Sequence, residues 1–177
     1  MGEGFSILTR RRFLRLSLAA GGFLLMGGAG LLALRGRAQR VAGLRALTHH
    51  EYRTLSQLAR ALFPEGGAFP VSASDVDLAR AFDAFLADEP DWNRKDLERA
   101  LLLLELGPIV FEGRLRTFSR LSPEERLAHF ERWAEGGLLR RQVATAFRKF
   151  LTLVFYDTPA VWPHIGYDGP LVGPVNR

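Results

Sequence analysis

From Tyr52 onward apolar residues return every three or four positions, at Tyr52, Leu55, Leu58, Ala59 and Leu62, until Pro64. That spacing places them on one face of a helix. Thr48-His49-His50-Glu51 has the Ser/Thr-x-x-Glu order of a capping box, so a helix is predicted over 49–63. Residues 64–70, with Pro64, Gly66, Gly67 and Pro70, form a turn-rich break, after which Ser74 or Asp75 is expected to cap a helix carrying Val76, Ala79, Phe82, Phe85 and Leu86. Trp92, Leu97, Leu101 and Leu104 continue the pattern to Leu106, where Gly107-Pro108 predicts a stop, and Ile109 to Phe118 reads as a short further helix. Ser122-Pro123-Glu124-Glu125 is the strongest helix start in the chain, with Leu127, Phe130 and Trp133 on one face behind it. Gly136-Gly137 closes that helix. A last one runs from Leu138 to about Phe155 through Leu139, Val143, Ala146, Phe147, Phe150, Leu151 and Val154. No alternating strand pattern competes, and the expected class is all-α: a compact domain of about five helices without internal repeats.

The two ends break this pattern in different ways. Beyond Tyr156 the chain is dense in helix breakers and aromatic rings, which predicts an irregular, extended tail over 157–177. Its rings must be buried somewhere, either against the chain's own helices or on a partner. Trp162, Ile165 and Tyr167, held between Pro159, Pro163, Gly166 and Gly169, are the candidate partner-binding anchors. At the other end Leu16 to Leu34 carries no charge, and Arg10, Arg11, Arg12 and Arg15 precede it. Residues 1–38 therefore read as a signal segment that can also serve as a membrane anchor through 16–34, leaving 39–156 as the helical domain. As a helix the uncharged stretch would reach about 28 Å, close to the hydrocarbon thickness. Gly36-Arg37-Ala38 is a weak small-x-small site, so the pattern leaves cleavage open.

Charge and composition narrow the picture further. Six of the 24 basic residues but one of the 19 acidic ones precede position 39, so the formal net charge of +5 belongs to the N-terminal segment and the remainder is balanced. A footprint for nucleic acid is not expected in such a body. With no cysteine, disulfides, Cys-ligated clusters and Cys-based zinc sites are excluded. His49, His50, His129 and His164 include no i, i+4 pair. The first two read as polar first-turn residues and His129 as an exposed or edge position, so no metal site is expected. Glu124 and Glu125 read as helix-start charges favoured by the macrodipole. No phosphate-binding glycine loop or nucleophile motif follows a strand, so no catalytic or cofactor-binding residue is assigned and the domain is expected not to be an enzyme.

Two resemblances give these segments a context. Thr9-Arg10-Arg11-Arg12-Phe13-Leu14-Arg15 resembles the twin-arginine export signal, with Arg10 and Arg11 as the pair and Phe13 and Leu14 in the motif's following positions. Paired guanidinium forks can engage acidic receptor surfaces with a geometry that lysine lacks. The body resembles the gluconate 2-dehydrogenase subunit 3 group, the small subunits of membrane-associated sugar and sugar-acid dehydrogenases. The likeness lies in Leu47-Thr48-x-x-Glu51-Tyr52, Leu62-Phe63-Pro64, Leu121-Ser122-Pro123-Glu124-Glu125-Arg126 and Gly166-Tyr167-Asp168-Gly169-Pro170, taken in order. It implies a non-catalytic subunit that carries an FAD-containing, glucose–methanol–choline type large subunit through the twin-arginine translocase to the periplasm or the periplasmic face of the inner membrane. A cytochrome c subunit often accompanies such a pair. The alternative is a membrane-anchored helical scaffold or envelope protein that acts without a flavoenzyme.

Overall fold

A computed structural model of the chain describes residues 35–169. The export motif with Arg10, Arg11, Phe13 and Leu14, the uncharged stretch 16–34 and residues 170–177 lie outside that range. Among the described residues the fold is all-helical, with no strand. It consists of α1 (His49–Leu62), α2 (Leu78–Ala87), α3 (Asp91–Glu112), α4 (Pro123–Ala134) and α5 (Leu138–Asp157), with short 3-10 helices at Phe118–Arg120 and Trp162–Ile165.

The helix starts follow from local chemistry. At α1 the Thr48 N–H donates to the Glu51 carboxylate at 2.7 Å while the Glu51 N–H reaches the Thr48 hydroxyl, and Ser122 and Glu125 repeat this reciprocal arrangement at α4 behind Pro123. α1 is the central helix: it packs against α2, α3 and α4, while α5 lies across α2 and α4. Leu55, Leu58 and Ala59 of α1 meet Leu78, Phe82 and Leu86 of α2, and Phe130, Trp133, Phe147 and Leu151 fill the remainder of one continuous core. Each large side chain buried there contributes on the order of 2 kcal/mol or more, which sets the orientation of the helices more firmly than propensity does.

Several boundaries differ from the sequence pattern. Gly107-Pro108 does not stop α3, which continues to Glu112. Proline removes one backbone donor, but the residue before it is a glycine and has no Cβ to clash with the ring, so the helical conformation survives. The stop comes at Gly113, in the left-handed region at φ 65°, where the Arg114 N–H closes back on the Pro108 carbonyl at 3.0 Å. Ile109–Glu112 is therefore part of α3, and a loop at 113–117 followed by a 3-10 turn replaces the expected short helix. The cap of α2 is Asp77, not Ser74 or Asp75; Asp75 instead accepts from the Ser72 N–H and hydroxyl within the preceding turn. Trp92 in the first turn of α3 and Leu127 in α4 both face solvent. The start of the tail is not extended: α5 runs to Asp157, and residues 158–165 fold as consecutive turns and a 3-10 helix.

Candidate functional site

The end of α5 and the turn behind it gather the aromatic residues singled out in the sequence. Thr158 closes the helix, its hydroxyl donating to the Val154 carbonyl at 2.9 Å, and Val161 is fully buried, which fixes the turn to the core. Trp162 lies half-buried and donates its indole N–H to the Tyr156 carbonyl at 3.1 Å. Gly166 takes φ 67° and lets the Tyr167 N–H return to the Trp162 carbonyl, which sets the Tyr167 ring edge-on to Trp162 with centroids 5.3 Å apart. Phe69, from the loop after α1, joins the group edge-on to Phe155, Tyr156 and His164.

The three proposed anchors are thus placed differently. Trp162 supports the local fold, whereas Ile165 and Tyr167 are 44% and 45% exposed. Tyr156 and, one turn before it on α5, Leu153 at 57% extend the apolar surface. These two line an open groove of about 580 Å³ that Arg148, Lys149, Thr152 and Asp157 border. An apolar surface on an ordered support leaves little conformational freedom to lose on docking.

Two buried carboxylates that no sequence motif flags tie the N-terminal strap, residues 35–47, to the helices. Asp83 of α2 accepts three consecutive backbone N–H groups, from Arg45 at 2.8 Å, Ala46 at 3.0 Å and Leu47 at 2.7 Å, just ahead of α1. Glu105 of α3 is wholly buried and accepts from the Ser119 hydroxyl at 2.7 Å, the Ser119 N–H at 3.0 Å, Thr54 at 3.0 Å and the Arg53 guanidinium at 3.4 Å. Arg53 in turn donates to the Arg35 and Arg37 carbonyls at 2.7 and 3.1 Å. Arg80 holds the Ala42 carbonyl at 3.1 Å. Charged acceptors inside helical patterns read as solvent-facing residues; contacts from distant segments, the strap for Asp83 and α1 with the 3-10 turn for Glu105, show them to be internal.

His129 is not the exposed residue its position suggests. It is fully buried between Trp133 and Phe118, with Nδ1 2.6 Å from the Glu112 carboxylate, which also accepts a two-pronged contact from Arg132. Burial pushes the imidazole pKa down against the pull of Glu112. At Glu112 burial acts in the raising direction, yet the hydrogen bonds from Arg132 and His129 hold the carboxyl below its usual range. The consistent protonation is a neutral imidazole donating from Nδ1 to a carboxylate. It leaves Nε2 unpaired beside Gly107, where an added Cβ would lie 2.9 Å from that nitrogen and 2.5 Å from the Trp133 ring. The arrangement is a packing device, closed to solvent at the ring.

A cleft of about 240 Å³ lies between α1 and α2, lined by Tyr52, Ser56, Arg60, Ser74 and Asp77. Tyr52 donates to Asp77 at 2.7 Å, and burial together with that bond pushes its hydroxyl up to about 12. The phenol therefore stays protonated and braces Asp77, which holds a left-handed φ of 41° at the cap of α2. His49 and His50 sit in the first turn of α1 as expected from the sequence, and no cluster of three metal-ligating side chains occurs among the described residues. No described helix is long and apolar enough to cross a membrane. No protein family, curated protein or solved structure matches the chain.

Proposed function

We propose that this chain is the small, non-catalytic subunit of an exported flavoenzyme complex: it binds a flavin-dependent dehydrogenase of the glucose–methanol–choline type, carries it through the twin-arginine translocase and stabilises it at the periplasmic face of the inner membrane. The observation that carries the reading is the pairing of Arg10-Arg11-Arg12-Phe13-Leu14 with a helical body whose C-terminal end exposes Ile165 and Tyr167 on a fixed turn. The twin-arginine route moves folded cargo, so its signal is most useful to a chain that brings a cofactor-loaded partner with it. FAD belongs to that partner, and a cytochrome c subunit can complete the electron path. The uncharged stretch 16–34 serves as the anchor.

Export tests the reading. Arg10→Lys with Arg11→Lys keeps the charge but removes both planar forks. Fractionation of cells expressing the double variant should find both this protein and its flavoenzyme in the cytoplasm. Normal periplasmic flavoenzyme activity in that strain would refute co-export.

A further inference from the structure

We propose that the pole of the domain formed by the strap at Arg35–Arg37, the 3-10 turn at Phe118–Arg120 and the loop at 113–116 is a lipid-contacting surface, with Leu115 entering the headgroup layer and arginines meeting anionic lipid around it. The inference rests on the reading of residues 16–34 as a membrane anchor and adds a second, independent contact between the folded domain and the bilayer.

Geometry supplies the first argument. On that reading Leu34, the last residue of the uncharged stretch, ends the membrane-held segment one Cα spacing, ~4 Å, before Arg35. Arg35 cannot drift away from the domain on a slack linker. Arg53 grips its carbonyl and that of Arg37, Glu105 fixes Arg53, and Asp83 pins residues 45–47. Whatever surrounds Arg35 is therefore held at the membrane surface as well. Arg120 lays its guanidinium on Gly36, so close that a Cβ there would fall 1.9 Å from Nη2, and the left-handed φ of 64° at Gly36 makes this approach feasible. Ser119 binds the same Glu105 that holds Arg53. Leu115 precedes Phe118 by three residues, a reach of about 10 Å at most, comparable with the ~5–8 Å depth of the interfacial layer.

The side chains at this pole supply the second argument. Leu115 is 88% exposed, the most exposed large apolar side chain among the described residues, and it stands between Arg114 and Arg116 at the tip of a loop. Arg116 follows it in the loop, and Arg37 on the strap and Arg120 on the 3-10 turn are also exposed. The acids on the same rim are already engaged: Glu112 pairs with Arg132 and Arg114, and Glu125 with Arg114. An apolar tip inside a basic collar matches the interface of an anionic bilayer, which attracts arginine heads and accepts a leucine below them. The aromatic end faces elsewhere. Arg53 at the strap and Phe63, which stacks on Phe155 at 4.3 Å, are ten residues apart along and just beyond α1, about 15 Å. Lipid contact at one end thus leaves Ile165 and Tyr167 open at the other.

The chain has no cysteine, so Leu115→Cys and Leu153→Cys each give one labelling site in the full-length protein. Each variant, carrying an environment-sensitive fluorophore, is reconstituted into phosphatidylcholine vesicles with and without phosphatidylglycerol, and vesicles are recovered by flotation. The expected result is a blue-shifted emission at position 115, quenched by spin-labelled lipid and dependent on phosphatidylglycerol, with a water-like emission at 153. Arg37→Glu with Arg116→Glu should abolish the shift at 115 while flotation persists. Floated protein with a water-like label at 115, equal quenching at both sites, or a shift indifferent to phosphatidylglycerol and to the charge reversals would each overturn the proposal. Protein that fails to float overturns the anchor as well, whereas co-purification of the flavoenzyme with the same chain reads the subunit assignment separately.

Discussion

Replacing Glu105 by alanine tests whether the strap is held by a buried charge or merely rests on the domain. The substitution leaves the Arg53 guanidinium, mostly removed from solvent, without its carboxylate and strips acceptors from Ser119 and Thr54. The Ser119 N–H and hydroxyl both donate to Glu105, while Thr54 can turn its single proton to the His50 carbonyl at 3.0 Å. Removing one partner of a buried ion pair costs about 3–5 kcal/mol, a large share of the roughly 5–15 kcal/mol that holds a domain together. For a chain of this size that corresponds to a fall in melting temperature of about 10–15 °C. Glu105→Gln should cost less, about 1.5–3 kcal/mol, since one amide oxygen can still accept from the Ser119 N–H while the Ser119 hydroxyl rotates to accept from the amide. Thermal melts by circular dichroism on the full-length protein in detergent measure both. A Glu105→Ala variant that melts within a few degrees of the parent, or a Glu105→Gln variant more damaged than it, would show that the strap is not held by the buried charge.

Gly107→Ala should destabilise by about 1–2 kcal/mol, because the clash with the Trp133 ring and His129 outweighs the ~1 kcal/mol gained in helix propensity. Gly137→Ala, in open space, should stay within about 0.5 kcal/mol, and denaturant titration of the two variants beside the parent measures both. Acid should weaken the fold before the carboxylates titrate. His129 and His50 both have pKa values held below the ordinary 6.5, chiefly by burial, so just below that pH the unfolded chain binds more protons than the folded one. Stability from these groups is complete above about pH 6.5 and declines as the pH falls through the window between the two states' values. Melts on either side of pH 6.5 should show this slope, and His129→Gln should make it shallower.

The capping boxes at Thr48 and Ser122 are legible in the sequence because they are local: four adjacent residues contain both halves of the hydrogen-bond exchange. The apolar stripes of α1 and α5 are legible for the same reason. What the pattern misplaces depends on contacts between distant segments. Gly107-Pro108 has the composition of a stop, yet the glycine is needed for the approach of α4, and the helix outlasts it by one turn. His129 lies on the same helix as the exposed Leu127, and only its burial against Phe118 and Trp133 shows it to be internal. Asp83 and Glu105 resemble ordinary solvent-facing acids until the strap supplies donors to the first and Arg53, Thr54 and Ser119 to the second. The tail is legible as a place of unusual aromatic density, but periodicity could not divide its roles. Val161 and Trp162 fasten the turn, while Ile165 and Tyr167 remain outside.

That division allows the partner surface to be tested apart from the fold. Ile165→Ala with Tyr167→Ala removes one half-exposed ring, with its edge-on contact to Trp162, and one branched aliphatic side chain, while leaving Val161 in the core and the Trp162 bond to the Tyr156 carbonyl in place. The measurement is the flavin absorbance recovered with the affinity-tagged full-length chain from cells that co-express the flavoenzyme, set beside the variant's own melting temperature. If the two residues anchor the complex, their loss should weaken association by about 2 kcal/mol, roughly thirtyfold, while the melting temperature falls by only about 2–5 °C with the lost ring contact on Trp162. Undiminished flavin recovery from the double variant would contradict the docking surface, and a parent chain that brings down no flavoprotein at all would contradict the proposed function itself.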